Sequence, residues 1–118
     1  MNSYHSQARL FKVLMHPARL AILDLLRDSA ECVCHMEAIL GYRQAYISQQ
    51  LMVLRQAGLV EDQRDGWNIY YRVINPEIYT VIEAARKLLG EPLAPQPSLG
   101  EDVVCLCPKC VAAAKETT

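Results

Sequence analysis

Along most of the chain, apolar residues return every three to four positions, the period of a helix with one buried face. That period breaks once, for two short runs with strand character. Leu10, Val13 and Leu14 follow a candidate cap at Ser3 or Ser6 and predict a first helix over residues 4–14. Pro17 suits the first turn of a second helix, where its missing N–H costs nothing; Leu20, Ile22, Leu23, Leu25 and Leu26 carry that helix to Asp28-Ser29. A third helix is expected over 31–40, stopped by Gly41. A fourth spans 44–57, with Ile47, Leu51 and Leu54 on one face and Gly58 as terminator.

Residues 59–64 and 68–73 are β-branched or aromatic runs around Asp65-Gly66-Trp67, and Asp-Gly between two such runs signals a hairpin. Asn75-Pro76 then opens a fifth helix over 76–89, with Ile78, Val81, Ile82, Ala85, Leu88 and Leu89 as its apolar side and Gly90 as its stop. Pro92, Pro95, Pro97 and Gly100 make 91–104 a linker. Three helices, a tight turn at Gly41 and a hairpin after the fourth helix predict a winged helix-turn-helix, mostly α with a small β-hairpin: five helices plus a two-stranded wing. Residues 1–90 form the expected domain, and 91–118 a flexible arm.

Composition narrows the function. At 118 residues and 52% apolar, the chain is the size of one folded domain. No apolar run reaches membrane-span length, and the first residues lack the regions of a signal peptide, so no membrane partner and a cytoplasmic location are expected. A net charge of −1 means that DNA must be met by a local basic surface. On the fourth helix the apolar stripe leaves Arg43, Gln44, Tyr46, Ser48, Gln49 and Gln50 as a polar N-terminal half, types that suit base edges and phosphates. Arg64 and Asn68 flank the hairpin tip, where a wing touches backbone or minor groove.

The five cysteines fall in two clusters, Cys32-Val33-Cys34 and Cys105-Leu106-Cys107-Pro108-Lys109-Cys110. In a reducing compartment such clusters read as metal ligands or redox groups, and the odd count argues against a paired disulfide frame. Residues two apart diverge on a regular helix, so Cys32 and Cys34 converge only if Cys32 lies at the frayed N-terminal turn. There the helix dipole favours thiolates. Soft thiolates select As(III), Cd(II), Pb(II), Zn(II) or Cu(I) over hard cations.

Met15-His16-Pro17-Ala18-Arg19-Leu20-Ala21-Ile22-Leu23, Gln44 to Leu51, Leu54-Arg55-Gln56-Ala57-Gly58-Leu59-Val60 and Asp65-Gly66 with Tyr70-Tyr71-Arg72 resemble the ArsR/SmtB family of metal-sensing repressors over roughly residues 8–89. Two departures stand out: His16 where the family commonly has an acidic residue, and Gln50 where histidine is usual. The resemblance implies a homodimer joined by the first and last helices, reading a near-palindromic operator on double-stranded DNA. It also implies a metal site at Glu31-Cys32-Val33-Cys34, a motif found in the family's arsenite, cadmium and lead sensors. His35 replaces the family's frequent aspartate after the second cysteine.

With Pro108 shaping the turn, Cys105, Cys107 and Cys110 can converge on one ion, and the linker lets them join Cys32 and Cys34 in a three- or four-sulfur site. As(III) takes three thiolates in a neutral complex, whereas Cd(II) and Zn(II) prefer four, leaving a charge of about −2. Five cysteines permit either. Residues 76–90 contain no histidine, so the family's interfacial zinc site is not expected on the last helix. The expected mechanism is derepression by As(III) or a soft divalent ion. The alternative is a thiol-based redox-sensing repressor. An enzyme built on Cys107-Pro108-Lys109-Cys110 lacks the βαβ context that such a dithiol needs.

Overall fold

A computed structural model describes residues 3–91. Its elements run α1 (Ser3–Leu14), α2 (Pro17–Leu25), β1 (Glu31–Cys32), α3 (Val33–Leu40), α4 (Gln44–Gln56), β2 (Val60–Asp65), β3 (Asn68–Val73) and α5 (Ile78–Leu89). The five expected helices are present, and the wing carries one strand more than expected. Its three antiparallel strands lie in the order β1-β3-β2. Glu31 pairs with Tyr71 and Cys32 with Tyr70, so these two residues leave the third helix that the periodicity assigned them. Cys32 is extended (φ −86, ψ 162) and serves as the N-cap of α3.

The start of α5 also differs. Asn75, Pro76 and Glu77 form a turn closed by Ile78 N–H to Asn75 O at 3.1 Å and Tyr79 N–H to Pro76 O at 3.0 Å. Asn75 does not cap α5; its Nδ2 donates to Gly58 O at 3.2 Å, tying the end of the wing to the end of α4.

Ile22, Leu23, Met36, Ile47, Leu51, Leu54 and Val60 are the large side chains fully removed from solvent. They come from α2, α3, α4 and β2, so the helix-turn-helix and the root of the wing share one core. Leu14, Ile78 and Ile82 extend it towards α1 and α5. Beyond that contact, Phe11, Leu14, Leu20, Val81, Ile82 and Leu89 line an open groove of about 420 Å³. Leu88 and Leu89 are 88% and 68% exposed, an apolar helix face that the single chain leaves uncovered. No described helix is long and apolar enough to cross a membrane.

Charges fasten α5 to α2. Arg27 reaches Asp24 at 2.9 Å and Glu83 at 2.8 Å, while Arg86 reaches Asp24 at 2.6 Å and Glu83 at 3.4 Å. Asp24 above all holds the Arg27 guanidinium protonated more firmly than in an isolated side chain. That guanidinium lies 4.6 Å over the Tyr79 ring, whose hydroxyl donates to Leu23 O at 2.6 Å. Burial is the main cause that pushes Tyr79 up to about 12 from the ordinary value of 10.0. The folded state therefore favours the neutral phenol, and its contribution is complete below the unfolded value and lost as pH rises through the folded one. Urea midpoints should fall from about pH 10 upward, and Tyr79→Phe should flatten that alkaline decline.

Candidate nucleic-acid interface and thiol pair

The α3–α4 corner is set by Gly41, which ends α3 in the left-handed region (φ 75) with its N–H on Glu37 O at 3.0 Å. Arg43 then takes an extended N-cap conformation with no side-chain cap bond, which leaves its guanidinium exposed at the head of α4. Gln44, Ser48 and Gln49 are exposed beside it. Tyr46 is half-buried, its ring 5.2 Å from Tyr42 and 6.3 Å from His16. Gln50 is the exception to the expected polar face. It is 7% exposed and its Oε1 accepts from Arg19 Nε at 2.9 Å, so it braces α4 against α2.

The wing is held beside α4. Arg55 of α4 pairs with Asp62 of β2 at 3.3 Å, and Tyr71 packs near Ser48, Leu51 and Met52. Side chains alternate along a strand, so Val60, Asp62 and Arg64 share the face turned to α4, and Arg64 stands on it opposite Ile69. Asn68, paired with Asp65, lies on the other face, with Tyr70 and Cys32. Arg64 thus stands on the face of the wing that packs against α4, and Asn68 on the opposite face. Arg72 and Glu61 form an ion pair along the wing.

The first cysteine pair lies where the strand hands over to the helix. Cys32 is buried, Cys34 is exposed, and their Sγ atoms stand 2.7 Å apart. Cys32 Sγ accepts from His35 N–H at 3.3 Å, filling the place of an N-cap oxygen. Leaving the helix at Cys32 is what allows the two sulfurs to converge. His35 Nε2 is 3.4 Å from Glu31 Oε2, and Ser29 Oγ donates to Glu31 Oε1 at 2.8 Å. His35 is thus turned towards Glu31 rather than out into solvent.

Two sulfurs on one tetrahedral ion stand about 3.8 Å apart. A rotation of the exposed Cys34 side chain covers the difference, so the pair fits as two of the ligands of a soft ion. Among the described residues no group of three or more His, Cys, Asp or Glu is placed to complete such a site. Cys105, Cys107 and Cys110 lie outside the described residues.

The family model described as "Bacterial regulatory protein, arsR family" matches residues 16–62, from the start of α2 into the wing. The uncharacterized HTH-type transcriptional regulator Rv0081 of Mycobacterium tuberculosis is 38% identical over 101 residues, covering 85% of this chain and 89% of that protein. The chain belongs to the arsR family of bacterial regulatory proteins. The crystal structure of Rv0081 superposes with a TM-score of 0.69, covering 76% of this chain and 91% of that one. Another family relative, the biofilm growth-associated repressor of Agrobacterium fabrum, is 40% identical over 85 residues, 72% of this chain and 73% of its own length. A homodimeric winged helix-turn-helix DNA-binding domain from Mycobacterium bovis, a possible ArsR-family regulator, matches at 30% identity and a TM-score of 0.66, covering 77% and 84% of the two chains. Membership makes this chain a transcriptional regulator with a winged helix-turn-helix, and not an enzyme.

Proposed function

We propose that the chain is a homodimeric repressor that binds operator DNA and releases it when its thiolates capture As(III) or a soft divalent ion such as Cd(II), Pb(II) or Zn(II). The observation that carries this reading is the position of Cys32, which is at once the end of β1 and the N-cap of α3. Cys32 and Cys34 supply two ligands, and Cys105, Cys107 and Cys110 supply the third and fourth. The bound ion contributes metal–sulfur bonds strong enough to draw these groups together.

The chain's own residues then carry the change to the DNA surface. Movement of Cys32 strains its pairing with Tyr70 and so reaches the wing. Movement of the first turn of α3 reaches α4 through Met36, Ile47 and Leu51, which share one core. In this reading Arg43, Gln44, Tyr46, Ser48 and Gln49 of α4 meet the DNA, with Arg64 and Asn68 on the wing; exposure of Arg43, Gln44, Ser48 and Gln49 supports it. The uncovered face of α5 and the groove beside Phe11 and Leu20 suit a second copy, which sets two α4 helices on a two-fold operator. Because linkage is reciprocal, operator DNA must weaken ion binding by the same factor that the ion weakens DNA binding.

Fluorescence anisotropy of a labelled operator duplex, titrated with each ion under reducing conditions, tests this. Release by at least one ion is expected at the concentrations that build up sulfur–metal absorption; retention with every ion sinks the proposal. The 2.7 Å approach of the two sulfurs favours a second reading, in which a peroxide removes two electrons and two protons from the pair to form a disulfide and is itself reduced to water. Release of DNA from metal-free protein by peroxide, reversed by dithiothreitol, would favour that reading.

A further inference from the structure

Arg19 is half-buried, yet both acceptors that hold its guanidinium are neutral. Gln50 Oε1 takes Nε at 2.9 Å and Val13 O takes Nη1 at 3.1 Å. Arg9 and Lys12, one turn apart on α1, stand at the same groove as exposed cations. Among the described residues no carboxylate lies within ion-pair distance of any of the three. The other half-buried arginines are matched: Arg27 pairs with Glu83, and Arg86 with Asp24.

Between α1 and the last turns of α4 these cations rim a groove of about 610 Å³, with Leu10, Val13 and Val53 as an aliphatic lining. That volume lies in the range of about 300–1,000 Å³ common to small-molecule sites. It is neither the polar head of α4 nor the α1–α5 groove. Val53 lies about 15 Å along the helix from Arg43. Phe11 and Leu14, which line the α1–α5 groove, stand on another face of α1, so a second copy seated there does not need this one.

Two features select the occupant. An inorganic anion would satisfy the cations and leave the aliphatic lining wet. A neutral apolar molecule would cover the lining and leave three like charges unmatched. A carboxylate on a hydrocarbon body meets both demands. Arg19 Nη2 makes neither of the bonds that fix the guanidinium, so the fork is held in place with donors to spare for a carboxylate. We infer that the groove between α1 and α4 is a binding site for an amphipathic organic carboxylate. Arg9, Lys12 and Arg19 hold its anion, and Leu10, Val13 and Val53 its hydrocarbon part. The site is complete within one chain and uses no thiol, so it stands apart from operator binding and from ion capture.

Calorimetry on the reduced, full-length protein tests this with octanoate as probe, and with octanol and acetate as its apolar and charged halves. Octanoate is expected to bind once per chain, about tenfold or more tighter than either half. Arg9→Gln combined with Lys12→Gln should weaken it about tenfold and leave the urea midpoint in place, because both side chains are exposed. Arg19→Lys keeps the charge but loses the fork, and should weaken octanoate several-fold. In methyl NMR spectra Leu10, Val13 and Val53 should shift with octanoate while Leu20 and Leu89 stay. No binding at millimolar octanoate, binding no tighter than that of octanol, or shifts at Leu20 and Leu89 instead overturns the inference. Binding that appears only in Glu101→Gln combined with Asp102→Asn assigns the groove to the chain's own acidic segment and overturns it equally.

Discussion

Cys32→Ser is expected to leave operator binding within about threefold of wild type and to abolish release by As(III) or Cd(II) across the whole range that releases DNA from the native protein. Serine is among the best N-cap residues, and its oxygen can take the His35 N–H that Cys32 Sγ now accepts. The first turn of α3 and its strand pairing to Tyr70 should therefore survive the exchange. What disappears is the soft donor: a hard, protonated hydroxyl does not replace a thiolate on these ions. Cys34→Ser is milder for the fold because Cys34 is exposed, and it should be as damaging to the response. Anisotropy titrations on both variants, read with sulfur–metal absorption, check the pair. A serine variant that still releases DNA at wild-type ion concentrations would place the effector site elsewhere.

Leu51→Ala should produce the largest loss of stability among substitutions in α4. Leu51 is fully buried and shares a core with side chains of α2, α3 and the wing root, so truncation leaves a cavity bounded by several elements at once. Such changes cost about 2–5 kcal/mol. A loss of about 3 kcal/mol multiplies the unfolded fraction roughly 150-fold, against a total stability of about 5–15 kcal/mol for a domain of this kind. Urea denaturation followed by circular dichroism should show a midpoint that falls while the slope is kept. DNA affinity should decline in proportion to the folded fraction. A midpoint unchanged within error would mean that the shared core is not what holds α4.

The helices were legible because each carries an apolar stripe at helical period, and Gly41 and Gly90 sit at real C-caps with positive φ. The burial of Gln50 follows from position rather than chemistry: it lies three residues after Ile47 and four before Leu54, on the buried stripe. Its partner Arg19 is 31 residues away, which no local pattern reveals. Strand β1 is two residues long, too short for any alternation to register. One clue did exist, since two cysteines spaced by one residue cannot meet on a regular helix, and that alone moves Cys32 to the helix border. That the border is also a strand of the wing depends on Tyr70 and Tyr71, far along the chain. Asn75 was expected to open α5, but a backbone carbonyl at the end of α4 claims its side chain.

Salt acts unequally on the two ends of this molecule. The Asp24, Arg27, Glu83 and Arg86 side chains are 18–27% exposed, and their three shortest contacts are 2.6–2.9 Å, no longer than the screening distance of about 3 Å in molar salt. Ionic strength that strips cations from phosphates therefore leaves α5 seated on α2. The apolar surface presented by Phe11, Leu20, Leu88 and Leu89 does not depend on screening. A high-salt wash is thus expected to separate protein from DNA while α5 stays on α2 and its apolar face keeps its shape for the proposed second copy.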